Sequence, residues 1–267
     1  MAKEITITAV TELLTGFSPI SMKETSSIQL MDRYDTKYTF PFISLSQILD
    51  SCKEDYKLTT ESDTGLFPYE TWYYDTPQKE LYLSHHNGKG HRYKFRIRSY
   101  NKFNLIFAEV KEKFKGKTIK QRVPFRGYSG IAAVLEDPEA ILKIEELIKR
   151  CTPYSFLDFT LAIKIDFHRI TLVHTNREER ITIDTLLTYQ DGEKTLKIPE
   201  LVIAEIKHQG PVPHLGFSQI LKHNQIHAGS FSKYCLGMAS LDPSLKYNRF
   251  KSQLMNIERL AYVTGNN

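Results

Sequence analysis

Between Arg92 and Arg98 the chain alternates base and apolar residue without a break: Arg92, Lys94, Arg96 and Arg98 are interleaved with Tyr93, Phe95 and Ile97. Successive side chains of an extended strand point to opposite faces, so four cations would stand in one row. The same split recurs elsewhere. Glu109, Lys111 and Lys113 alternate with Ile106, Ala108 and Val110, Lys120 and Arg122 with Ile119 and Val123, and Glu205 and Lys207 with Val202, Ala204 and Ile206. Arg33, Asp35 and Lys37, then Lys164 and Asp166, then Arg180 and Asp184 extend the polar faces of three further segments. Together these faces hold thirteen bases and five acids, a net +8 in a chain whose total is +5, so everything else sums to −3. Cations in such a row suit a linear polyanion rather than a compact one.

Two placements fit this pattern. A half-exposed sheet puts its charged face in water. Like charges side by side on neighbouring strands repel, however, and exposed sheets usually mix both signs. The alternative is a closed barrel whose apolar face lies outward under helices and whose basic face lines a lumen neutralised by an anion. Eight strands enclose an interior of ligand size. Glu109 stands two residues before Lys111, and Glu205 two before Lys207, so each acid shares its face with a cation. Such an acid is either an ion-pair partner or a hard oxygen ligand for Mg²⁺ or Mn²⁺, with substrate phosphates completing the shell.

The elements that must position these residues follow from periodicity. Segments 33–40, 69–75, 92–99, 105–113, 118–124, 160–168, 180–186 and 201–207 read as strands. Residues 44–53, 138–150, 215–226 and 249–262 read as helices, the second behind Pro138. Asn87-Gly88, Lys115-Gly116-Lys117 and Asp191-Gly192 are hairpin signals, which imply antiparallel neighbours. The expected fold is therefore α+β: a closed eight-stranded antiparallel β-barrel with a basic lumen and helices outside. Residues 1–30 are expected to be a short helix or strand with an irregular lead-in, 31–245 the barrel domain, and 246–267 a C-terminal helix.

Composition narrows the function. At 267 residues, 41% hydrophobic and 25% charged, the chain can bury a core and lies outside the disordered class. No apolar run reaches a membrane span and the N-terminus lacks a signal-peptide pattern, so a cytoplasmic protein with no membrane span is expected. Cys52, Cys151 and Cys235 are odd in number and far apart, which fits neither a disulfide framework nor a CxxC metal knot. His85, His86 and His91 surround Asn87-Gly88 with no acid or cysteine to complete a metal set and read as turn residues. Gly88-Lys89-Gly90 lacks the spacing of a P-loop. Tyr93 and Phe95 fall on the face opposite the arginines, which argues against stacking of nucleic-acid bases.

Asp35-Thr36-Lys37-Tyr38, Tyr73-Tyr74-Asp75-Thr76, Arg96-Ile97-Arg98, Glu109-Val110-Lys111, Lys120-Gln121-Arg122, Arg180-Ile181-Thr182-Ile183-Asp184, Glu205-Ile206-Lys207 and Ser232-Lys233-Tyr234 follow one another along the chain. In this order they resemble the catalytic domain of the vacuolar transporter chaperone (VTC) family, in its stand-alone bacterial form, over about residues 30–240. The resemblance implies a triphosphate tunnel metalloenzyme fold and synthesis of inorganic polyphosphate from ATP with Mn²⁺ or Mg²⁺. It implies phosphate-holding roles for Lys37, Lys94, Arg96, Arg98, Lys111, Lys120, Arg122, Arg169, Arg180, Lys207, Ser232 and Lys233. Of these, Lys37, Arg96, Arg98, Lys111 and Lys207 would be catalytic. Glu205 would be the principal metal ligand, with Glu109 and Asp184 as the other candidates. Arg169 falls out of phase with the inward positions assigned to its strand, so its role requires a bulge. The Glu-x-Glu-x-Lys signature of cyclase, thiamine triphosphatase and capping-enzyme relatives is missing, its place taken by Arg33-Tyr34-Asp35-Thr36-Lys37. Nothing here matches the inositol-phosphate-sensing domain or membrane segment of the eukaryotic complexes, so coupled export would need a separate membrane-protein partner. The expected ligands are ATP and inorganic polyphosphate or triphosphate rather than nucleic acid; the alternatives are metal-dependent hydrolysis of inorganic or nucleoside triphosphate, or a non-catalytic barrel that binds polyphosphate or nucleic acid.

Overall fold

The computed structural model describes residues 4–27, 33–61, 64–100, 104–192, 194–209 and 216–264. Among them are twelve strands: β1 (Ser18–Ser21), β2 (Arg33–Pro41), β3 (Tyr56–Thr60), β4 (Leu66–Asp75), β5 (Arg92–Tyr100), β6 (Leu105–Phe114), β7 (Lys117–Arg126), β8 (Thr160–His174), β9 (Glu179–Asp191), β10 (Lys194–Ile198), β11 (Leu201–Gln209) and β12 (Ala228–Gly229). The helices are α1 (Ile7–Glu12), α2 (Met22–Ser27), α3 (Leu45–Asp50), α4 (Glu80–His86), α5 (Ile131–Glu136), α6 (Pro138–Cys151), α7 (Phe217–His223), α8 (Lys233–Leu241) and α9 (Lys251–Thr264). All eight expected strands form, and they lie side by side in the antiparallel order β2-β11-β9-β8-β4-β5-β6-β7. Among the described residues no ladder joins β7 to β2. Curvature brings them together instead: Asp35 and Lys37 of β2 and Thr118 of β7 line one cavity.

Helices cover the outer face in two groups. Leu45, Ile48 and Leu49 of α3 and Phe217 and Leu221 of α7 pack on Ile181, Ile183, Val202, Ala204 and Ile206. Ile144, Leu147 and Ile148 of α6 pack on Phe95, Ile97, Ala108 and Val110. These apolar positions are the ones alternation sets behind the bases, so the basic face is the concave one.

One stretch of the concave face is apolar. Ile163, Ile165 and Phe167 of β8 cluster with Tyr69, Tyr73 and Tyr189 and with Tyr234, Cys235 and Met238 of α8, which packs inside the curl. A Cβ at Gly237 would lie 2.4 Å from Tyr189 Cδ1 and 2.7 Å from Ile163 Cδ1, so glycine lets the helix sit this close. This reverses the expected phase of β8. Its inward residues are Ile163, Ile165, Phe167 and Arg169, which face Tyr73, Thr71, Tyr69 and Phe67 across the β4 ladder. Lys164 and Asp166 point outward, Lys164 Nζ lying 4.1 Å from the Trp72 ring. Arg169 thus keeps the inward phase of its own strand. A bulge does occur, on β9: Asp166 pairs with Thr188 and His168 with Thr185, and Leu186 takes up the extra residue at φ 54°.

Other differences are local. The first thirty residues, expected to be a short helix or strand followed by an irregular lead-in, contain α1, β1 and α2, with β1 paired in parallel to β3; residues 28–30 lie outside the described residues. Asn87-Gly88 ends α4 instead of turning a hairpin, with Gly88 at φ 71°. Lys115-Gly116 and Asp191-Gly192 do turn hairpins. The expected helix at 249–262 is α9, at 251–264.

Gly237→Ala should lower stability by about 1–3 kcal/mol through overpacking of α8 against Tyr189 and Ile163. Gly90→Ala, where a Cβ meets nothing within 4 Å, should leave it nearly unchanged. Paired thermal melts compare the two, and equal melting temperatures would remove α8 from the inner core.

Candidate functional site in the basic lumen

Pairing across three strands puts Arg96, Glu109 and Arg122 in one row, with Lys94, Lys111 and Lys120 in the next. Arg96 donates through Nε to Glu109 Oε2 at 2.7 Å, and Lys120 pairs with Glu109 Oε1. Glu109 is 1% exposed. Its burial opposes ionisation, but Arg96, Arg98 and Lys120 outweigh that and hold the carboxyl well below the usual range.

The opposite wall repeats the device twice. Asp184 of β9 accepts from Arg169 Nε at 2.6 Å and Nη2 at 2.8 Å, and Lys233 at the start of α8 reaches its Oδ2. Burial acts against this carboxylate too, and Arg169 and Lys233 keep it ionised. On β11, Glu205 Oε1 lies 2.9 Å from Lys207 Nζ, whereas Oε2 is 3.9 Å from Lys37 Nζ. Arg98 donates to Thr71 Oγ1 at 3.0 Å, and Lys94 to Ser232 Oγ at 2.9 Å. Arg122 lies over the Phe107 ring at 4.3 Å, and Arg180 pairs with Lys207 across the β9–β11 ladder. The described residues therefore bring all the expected phosphate-holding side chains to the concave face. The side chain of Arg33 lies outside them.

At one mouth Lys37, Arg92, Lys94, Lys111 and Lys113 surround a cavity of about 400 Å³, with Asp35 as its acid and His85, Ser230 and Ser232 among its other walls. Arg92 and Lys113 were legible in the same alternation but carry no assigned role in the family resemblance. Lys111 and Lys120 reach water through the lumen, yet burial comes first in depressing both: Lys111 is brought down to about 8 with help from Arg96 and Lys37, and Lys120 to about 8 against the pull of Glu109. His85 is held neutral, at about 3, by burial and by Lys94, Arg92, Lys113 and Lys37. It belongs to this wall, not to an exposed turn.

Asp75, within the Tyr73-Tyr74-Asp75-Thr76 stretch, is fully buried and structural. Its Oδ1 accepts from the amides of Thr76 and Leu81 at 2.7 and 2.9 Å, and Oδ2 from the amide of Tyr82 at 2.8 Å and the hydroxyl of Tyr234. Strand β4, α4 and α8 are thus tied at one carboxylate, which fixes Ser232 and Lys233 over the lumen.

The donor chemistry separates the three metal candidates. Both oxygens of Glu109 and both of Asp184 are engaged by bases, so these residues act as counter-ions. Glu205 Oε2, beyond hydrogen-bond reach of Lys37, is the oxygen with room for a cation. Among the described residues no group of three or more His, Cys, Asp or Glu side chains could hold a metal ion. Glu205 fits a Mg²⁺- or Mn²⁺-type ion that takes one carboxylate and completes its shell with phosphate oxygens and water. No helix among the described residues is long and apolar enough to cross a membrane.

No protein of curated function matches the chain. Similar solved structures include a Bacillus halodurans protein described as a candidate adenylate cyclase, at TM-score 0.49 and 11% identity over 76% of this chain and 96% of that one. Two Pyrococcus horikoshii proteins are also similar: PH1012, at TM-score 0.38 and 15% identity over 72% of this chain and 88% of that one, and PH1819, at 0.37 and 17% over 72% and 87%. The model of the VTC domain matches residues 32–242, from the start of β2 to the end of α8. Every strand and helix that carries the lumen lies inside that match, and the chain belongs to the VTC domain family.

Proposed function

We propose that the chain transfers the γ-phosphoryl group of ATP to the end of an inorganic polyphosphate chain held in the lumen, with Mn²⁺ or Mg²⁺. The observation that carries this reading is the mouth cavity, where five bases from three strands converge with Asp35 as their acid. A compact anion would meet a few of these cations, whereas a linear polyanion running inward meets Lys111, Arg96, Arg98, Arg169 and Lys233 in turn. A DNA duplex, whose major groove alone is about 12 Å wide, is too large for such a cavity.

Phosphoryl transfer proceeds through a loose transition state with charge on the equatorial oxygens, so positioning and electrostatics supply most of the catalysis. Arg96 is braced by Glu109 and Arg169 by Asp184, which holds each fork at a fixed angle to an incoming phosphate. Lys111, Lys120 and Lys207 neutralise successive phosphates as point charges. A divalent ion at Glu205 would polarise the phosphoryl group and offset charge on the leaving diphosphate. The terminal oxygen of the polyphosphate attacks the γ-phosphorus as the bond to the ADP oxygen breaks, and no protein nucleophile is needed.

With ATP and Mn²⁺, a gel-resolved time course should show lengthening polyphosphate with ADP released; orthophosphate as the sole product from ATP or triphosphate would replace polymerisation by hydrolysis. Glu205→Ala should abolish metal-dependent turnover while triphosphate still binds without metal, as read by calorimetry; full metal-dependent activity in that variant would remove Glu205 as the ligand. Arg96→Ala or Lys207→Ala should weaken triphosphate binding as well as turnover, by about 1.5–3 kcal/mol for a lost charge-assisted donor. Finally, Lys111 and Lys120 are charged below about 8 and neutral above it, so triphosphate affinity should fall as pH rises through that value. Calorimetric titrations one unit either side test the sign, and unchanged affinity would mean that neither lysine faces the ligand.

A further inference from the structure

Tyr73 lies on the lumen face of β4 and takes part in none of the ion pairs. It is 7% exposed, and its ring stacks on Tyr234 of α8 with centroids 4.9 Å apart at 20°. Its hydroxyl oxygen accepts from Arg96 Nη1 at 3.0 Å, while the other nitrogens of that guanidinium hold Glu109. The phenolic proton has no acceptor among the described residues. The groups that face it are Lys94, Arg96 and Arg98 from β5, Tyr234 from α8 and Tyr189 from β9. Asp75, two residues on, directs its oxygens to three amides and to Tyr234. A buried hydroxyl that receives a hydrogen bond from a cation and has nowhere to donate its own is an incomplete arrangement.

We propose that Tyr73 is a substrate-contacting residue, its hydroxyl donating to a phosphoryl oxygen of the polyphosphate in the lumen. This rests on the reading of the lumen as a polyphosphate site. With protein groups alone around it, burial opposes ionisation of the phenol, but Arg96, Arg98 and Lys94 outweigh burial and bring it down to about 7. Tyr74, Tyr82, Tyr189 and Tyr234, which lack this concentration of cations, move the other way, as does Tyr69, where burial outweighs Arg169 and Arg98. A bound polyanion cancels the field of the three cations and favours the neutral phenol. The step is a proton transfer alone: a phenolate oxygen takes a proton from a terminal phosphate hydroxyl or from water, and one O–H bond forms as another breaks. When the donor is the acceptor chain's own end, that end is left as the oxyanion that attacks.

The test is a titration with inorganic triphosphate, without metal or nucleotide, followed by tyrosinate absorbance and calorimetry. About one pH unit above the Tyr73 value, wild type should lose the absorbance of one tyrosinate in step with binding, and Tyr73→Phe should show no such loss. About one unit below it, where the phenol is already protonated, Tyr73→Phe should bind about tenfold more weakly. That advantage of wild type should shrink as the pH rises past 7. The phenylalanine keeps the stack on Tyr234, and wild-type binding without tyrosinate loss overturns the proposal even if the variant does not fold. Binding without any tyrosinate loss, or the same loss in Tyr73→Phe, would overturn the assignment to Tyr73 while leaving the lumen reading intact. No binding of triphosphate by wild type would overturn the lumen reading, and this proposal with it.

Discussion

Like charges confined on a concave wall must be neutralised, and the rest of the molecule is arranged around that requirement. Three carboxylates meet it in part, each between two bases: Glu109 between Arg96 and Lys120, Asp184 between Arg169 and Lys233, Glu205 between Lys207 and Lys37. Removing one partner from a buried pair costs about 3–5 kcal/mol, because it leaves a charge with neither water nor counter-ion. Two bases to one acid leaves each group with a net positive charge. The carboxylates hold the cations at fixed angles without cancelling them, and the surplus charge remains for an anion.

Holding that wall together takes two cores. The outer helices cover the apolar side of the sheet, as in any half-buried sheet, but α8 also packs on the inner side and makes part of the lumen wall hydrophobic. Asp75 locks α8 to β4 and α4, so Ser232 and Lys233 arrive over the lumen from a helix seated by Gly237 against Tyr189 and Ile163. The inner core therefore sets the positions of cations that no strand could place.

Much of this was legible in the alternation of bases and apolar residues. Arg92 to Arg98, Glu109 to Lys113 and Lys120 to Arg122 fall on the concave face, because a strand under helices on one side only has one choice of face. The same logic failed for β8. Its apolar residues also pack on a helix, but that helix lies inside the curl, and period two alone cannot say which side of a sheet a helix covers. Lys164 and Asp166 were therefore set inward and Arg169 out of phase. Helix α8 itself is short and buried almost all round, so it shows no apolar stripe and periodicity did not find it; the motif Ser232-Lys233-Tyr234 marked the residues at its start without marking a helix. Closure was the least legible feature. It depends on how far eight strands curl, and in this structure curvature brings β2 and β7 to one cavity without a ladder among the described residues.

The grip on a ligand is uneven around the wall. Arg96 and Arg169 are each held by two or more hydrogen bonds, on strands in the middle of the eight. Lys37 stands 3.9 Å from its acid on β2, and Arg122 is exposed on β7, the two strands at the limits of the eight. If the proposed transfer runs here, this division has a chemical use. The reacting phosphates need donors that do not move, because misplacement by about 1 Å can cost a hundredfold in rate. A chain that lengthens at every turnover needs the opposite, charges on long side chains that follow each new phosphate. Lysines and an exposed arginine on the first and last of the eight strands supply that without disturbing the braced arginines between them.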